Sequence, residues 1–178
     1  YNQETGKILR GCVISYGRPS DQSAYRSELI GLSAIITFIT TNVDKHNLTN
    51  VNIQIACDGK SALENIFDEW KSKTKTNMKH YDIISYARAL IHKSQVKWSA
   101  RHVYGHRDAI TTELTIWEKL NVIADELATK FWIQQKFRYQ NTLNLSDGFP
   151  TVSQQGEAIC SKLRKTIQQR SNSSDWYK

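Results

Sequence analysis

Val51, Ile53, Ile55 and Cys57 alternate with Asn52, Gln54 and Ala56, a period of two that predicts a strand with unlike faces, ended by Asp58-Gly59. Upstream, Tyr25, Leu29, Leu32, Ile36 and Ile39 recur at alternating four- and three-residue intervals, the buried stripe of a helix that Asp21 or Ser23 would cap. Before that helix, the β-favourable run Cys12-Val13-Ile14 marks Lys7 to Tyr16 as a strand, with Thr5-Gly6 as the turn leading into it. Its hairpin partner is expected upstream of Tyr1. Ser61 to Trp70 reads as a short helix, and Tyr81 to His92 as another with Ile84, Ala87, Leu90 and Ile91 on its apolar side. Gln95 to Tyr104 reads as a strand, Gly105-His106 opens a loop to about Leu114, and a long helix is expected from about Thr115 to Phe137 on the stripe Ile116, Leu120, Ile123, Leu127 and Phe131. Asn144 to Pro150 has the composition of a linker, and Glu157 to Gln169 of a last helix. The expected organisation is one α/β domain over residues 1–138 and a polar linker with a short C-terminal helix over 139–178.

In a chain of 178 residues this patterning fits one sizeable core. The longest apolar stretch, Leu29 to Ile39, is broken by Gly31, Ser33 and Thr37 and falls short of the roughly 20 residues a membrane-spanning helix needs. Cys12, Cys57 and Cys160 are far apart and form no C-x-x-C pair, which argues against a disulfide framework and a zinc site and favours an intracellular location, nuclear or cytoplasmic. Asn47-Leu48-Thr49, Asn144-Leu145-Ser146 and Asn172-Ser173-Ser174 match the glycosylation pattern, but no secretory signal supports it. The net charge of +7 and pI near 9.3 lean towards an anionic partner such as nucleic acid. Lys71, Lys73, Lys75 and Lys79, between Trp70 and Tyr81, form a basic loop suited to phosphate contacts, or equally a solvated surface.

Acidic residues fall at three telling places in this α/β order. Glu28 lies beside the buried stripe, between Tyr25 and Leu32, where a carboxylate is costly unless paired or cation-bound. Asp58 ends a core strand, the edge at which open α/β sheets place ligands. Asp125 lies one turn after Asn121, near Ala124 and Ala128, whose small side chains would let the long helix approach the sheet. If the three converge, an all-oxygen donor set without Cys or paired His suits Mg²⁺ or Mn²⁺. Each also has a plainer reading: Glu28 reaching solvent or pairing with Arg26 or Arg101, Asp58 opening a turn, Asp125 simply exposed. Gly59-Lys60-Ser61 is no P-loop, because Gln54 stands where that pattern needs a glycine.

Four motifs occur in order: Ala24-Tyr25-Arg26-Ser27-Glu28-Leu29, Ala56-Cys57-Asp58-Gly59-Lys60-Ser61, Val103-Tyr104-Gly105-His106 and Asn121-Val122-Ile123-Ala124-Asp125-Glu126-Leu127-Ala128. Over residues 1–137 they resemble the ribonuclease H domain of retroelement polyproteins. The resemblance implies a central mixed sheet flanked by helices, here without its first strand, and hydrolysis of the RNA strand of RNA–DNA hybrids. It implies Glu28, Asp58 and Asp125 as catalytic metal ligands for two Mg²⁺ or Mn²⁺ ions, with His106 assisting water activation or product departure and Asn121 orienting that neighbourhood. It also implies other domains of a longer polyprotein as partners. No residue here takes the place of the family's first catalytic aspartate, so weak metal binding and slow or no cleavage are expected of the chain as given. The interval from His106 to Asn121 is longer than in compact members, and Gly59 stands where a small hydroxyl residue is common. The alternatives are a degenerate, non-catalytic module that binds nucleic acid or protein on the same fold, and a related nuclease or integrase acting on DNA.

Overall fold

The computed structural model describes residues 5–13, 15, 22–68, 78–135, 153–154 and 157–158. Helix α1 spans Ala24–Lys45, and Ser23 caps it by accepting a hydrogen bond from the Arg26 backbone N–H. Strand β1 (Asn52–Cys57) follows, then α2 (Lys60–Phe67), α3 (Tyr81–Lys93) and strand β2 (Lys97–His102). A 3₁₀ turn at Arg107–Ala109 leads to α4 (Ile116–Gln135), and β3 (Ser153–Gln154) pairs antiparallel with β4 (Glu157–Ala158). The chain is therefore mixed α/β.

β1 and β2 pair in parallel, from Asn52 opposite Lys97 to Cys57 opposite His102. Parallel neighbours need a long crossover, and α2 and α3 supply it. Ile53, Ile55 and Cys57 on β1 and Trp98 on β2 turn towards the helices, joining a core of Leu29, Ile30, Leu32 and Ile36 from α1, Ala62, Leu63 and Ile66 from α2, and Ile83, Ile84 and Ala87 from α3. The hydroxyls buried on α1 are satisfied within the helix: Ser33 donates to the Leu29 carbonyl at 2.8 Å and Thr40 to that of Ile36 at 3.0 Å. Arg88 donates to the carbonyls of Asn65, Ile66 and Asp68, closing the C-terminal end of α2.

A charged knot ties α1 to the start of α3. The Arg26 side chain is wholly buried and donates to His80 Nδ1 at 2.9 Å and to Asp82 Oδ2 at 3.4 Å. A guanidinium has no acceptor, so His80 Nδ1 carries no proton and the ring is the neutral Nε2–H tautomer. His80 is itself buried and left-handed, with φ of 62°, and the Tyr25 ring lies tilted against it, centroids 5.7 Å apart.

Several boundaries differ from the pattern-based expectation. Residues 7–13 and 15 form no strand, because no described segment runs alongside them to supply ladder hydrogen bonds. Position 14 and positions 16–21 lie outside the described residues. Among the described residues the main sheet is the β1–β2 pair alone, so it is parallel rather than mixed. α2 ends at Phe67 with Asp68 as its cap, short of the expected Trp70. Glu157 and Ala158, expected to open a helix, lie in a strand; the rest of that stretch and the linker from Asn144 lie outside the described residues. No described helix is long and apolar enough to cross a membrane.

Candidate active site

The C-terminal end of β1 is where separate parts of the chain meet. Asp58 leaves the strand there, and Gly59 turns the backbone into α2, whose first full turn closes on the Gly59 carbonyl. Glu28, in the second turn of α1, lies directly over Gly59: a methyl group on that glycine would overlap the carboxylate, with the Glu28 Cδ at 2.7 Å. Gly105 presses on Asp58 from the other side, and a methyl group there would lie 2.8 Å from Asp58 Oδ2. Both glycines are therefore needed for close approach rather than for an unusual φ. Asn121 on α4 completes the ring with a long 3.5 Å contact from Nδ2 to Asp58 Oδ2.

The charges feel one another. Burial pushes the Glu28 carboxyl above its ordinary range, and the Asp58 charge pushes it further. Burial does the same to Asp125, again reinforced by Asp58 and by Asp108, while nearby His106 pulls in the opposite direction. Neither Arg26 nor Arg101 relieves Glu28. Arg26 is engaged by His80 and Asp82, and the Arg101 guanidinium lies 5.7 Å from the centre of the Trp117 ring on α4. Burial drives the Cys57 thiol up to about 11, so at neutral pH it is protonated and no nucleophile.

Glu28, Asp58, Asn121, Asp125 and His106 thus gather at one sheet edge. His106 is exposed and left-handed, φ 53°, heading the 3₁₀ turn. Ala124 and Ala128 face solvent rather than the sheet, because the half-buried side of α4 is carried by Leu120, Asn121, Ile123, Asp125 and Leu127. Lys71, Lys73 and Lys75 lie outside the described residues, as does Trp70.

The oxygen donors have the chemistry a hard divalent cation takes, and the side-chain-free flanks at Gly59 and Gly105 leave Glu28 and Asp58 room beside the backbone. Among the described residues, however, no three His, Cys, Asp or Glu side chains are grouped closely enough to hold one ion. The carboxylates share an electrostatic neighbourhood without forming a ligating triad.

His102 belongs to this site and has no motif to reveal it. Its Nε2–H donates to the Asp58 carbonyl at 3.1 Å, fixing the backbone from which that carboxylate springs. The strand register alone, which sets Cys57 opposite His102, brings them together. Comparison with family models, with curated proteins and with solved structures finds no match for this chain.

Proposed function

We propose that the chain is a ribonuclease H-like nucleic-acid-binding domain whose chemistry is metal-dependent hydrolysis of RNA in RNA–DNA hybrids. The observation that carries this reading is the meeting of Glu28 from α1, Asp58 from the end of β1, Asp125 from α4 and the nearby His106 at one edge, where the Asp58 charge helps raise both the Glu28 and the Asp125 carboxyl. The four motifs that resemble the family supply these residues in the same order.

On this reading Glu28, Asp58 and Asp125, which are not grouped tightly enough here to hold one ion, would close on Mg²⁺ or Mn²⁺, and the ion would polarise a phosphate oxygen and lower the pKa of a bound water. The chain's own contribution is to keep two carboxylates close despite their repulsion, using Gly59 and Gly105 as clearances and His102 and Asn121 as braces on Asp58. His106, exposed beside Asp125, would exchange a proton with solvent as a substrate oxygen departs. The net charge of +7 favours a polyanionic substrate. The reading extends to neighbouring polyprotein domains as partners and an intracellular setting.

A second reading has its own support. The lack of a ligating triad among the described residues favours a module that keeps the fold and binds nucleic acid without cutting it. Incubating the protein with a labelled RNA–DNA hybrid in Mg²⁺ separates the two. Cleavage that Asp58→Asn abolishes, with the fold intact, establishes the nuclease. Binding at low salt without cleavage, by this chain and by a version extended upstream, establishes the binding module.

A further inference from the structure

Resting on the nucleic-acid reading, we infer that Tyr104, backed by His102, is a stacking platform for a nucleotide of the strand that reaches the carboxylate edge. Tyr104 is 69% exposed although it lies between fixed points. On one side His102 donates to the Asp58 carbonyl, and the Val103 N–H continues the ladder to the Cys57 carbonyl at 3.1 Å, with the Val103 side chain buried. On the other, Gly105 rests against the Asp58 carboxylate. The backbone of Tyr104 is thus pinned to Asp58 from both directions while its side chain stays outside.

The ring is also oriented. His102 meets it edge to face, with centroids 5.3 Å apart and planes at 74°, an arrangement that favours one setting of the phenol over free rotation. Scattered aromatic side chains on a surface are ordinary. This one differs in being indexed to the carboxylate edge by hydrogen bonds from the two residues before it. A flat, exposed π-face in a chain of net charge +7 suits a ligand that joins a planar ring to a phosphate. A nucleotide unit of a polynucleotide is such a ligand, and stacking accepts any base because every base has a π-face. The platform therefore contributes affinity and position with little sequence preference.

The test is fluorescence anisotropy of a fluorescein-labelled RNA–DNA hybrid, and of its RNA strand alone, titrated in EDTA at low salt with the wild type, Tyr104→Phe and Tyr104→Ala. Because Tyr104 is exposed, both variants should melt as the wild type does. The expected result is that Tyr104→Ala binds about 5- to 150-fold more weakly, the range of one base–aromatic stack, while Tyr104→Phe stays close to the wild type and the salt slope is unchanged. Equal binding by Tyr104→Ala and wild type overturns the platform but leaves the proposed function standing. Failure of the wild type to bind either nucleic acid overturns both.

Discussion

A methyl group at position 59 would collide with the Glu28 carboxylate, and the softer partner in that collision is the end of a flexible side chain. Gly59 has an ordinary φ of −74°, so Gly59→Ala should change stability by no more than about 1 kcal/mol. It should instead swing Glu28 away, and calorimetric titration with Mn²⁺ should show weakened binding at an unchanged melting temperature. Charge at the same place gives a second expectation. The Glu28 and Asp125 carboxyls are raised, so the folded protein holds their protons more tightly than the unfolded chain does. That stabilisation is complete below their unfolded pKa values and is lost as pH rises through the raised ones, leaving two unfavourable charges at neutral pH. In metal-free buffer Glu28→Gln should therefore melt higher than the wild type at pH 7, and the gap should close as the pH falls below the ordinary glutamate range. A wild type that melts higher at pH 7 would show that Glu28 is stabilised by a partner instead.

The elements carry expectations of their own. α4 begins with a capping box: Thr115 Oγ1 accepts from the Glu118 backbone N–H at 3.3 Å, and Glu118 Oε2 accepts from the Thr115 N–H at 2.9 Å. These Thr115 bonds, with Arg107 beside them, hold the Glu118 carboxyl below its ordinary range. The bracing is present above the unfolded pKa of Glu118 and is lost as pH falls through the depressed value. Thr115→Ala should thus speed amide exchange in the first turn of α4 and leave α1 untouched. Arg88→Met should cost about 1–3 kcal/mol in chemical denaturation by stranding the carbonyls at the end of α2. α1, β1 and α3 were legible in the sequence because each buries a periodic face, so the period reports the contact. The strand expected at Lys7 and the helix expected at Glu157 were not, because a short β-favourable or apolar run takes its form from whichever segment pairs with it.

At the scale of the whole molecule, the site is assembled by topology rather than by local sequence. Glu28, Asp58 and Asp125 were readable as motifs, but only the fold shows that Gly59 and Gly105 make room for Glu28 and Asp58 and that His102 braces Asp58, since the parallel register joins positions 44 residues apart. If hybrid binding extends to the basic loop, Lys71→Ala, Lys73→Ala and Lys75→Ala together should weaken it at low salt. They should also flatten its salt dependence by about one unit of log–log slope for every phosphate that is no longer neutralised. An unchanged slope would return that loop to the role of solvated surface.

The Arg26 knot clasps residues 54 and 56 positions further along the chain. The chain between them is a loop closed without a covalent bond, and it includes the exposed stretch His46–Asn50. A protease that nicks that stretch would cut the backbone but not the clasp. The two pieces should stay together in native gel filtration, held by the clasp and by the core that α1 shares with α2 and α3, and Arg26→Met should lower the denaturant concentration at which they part.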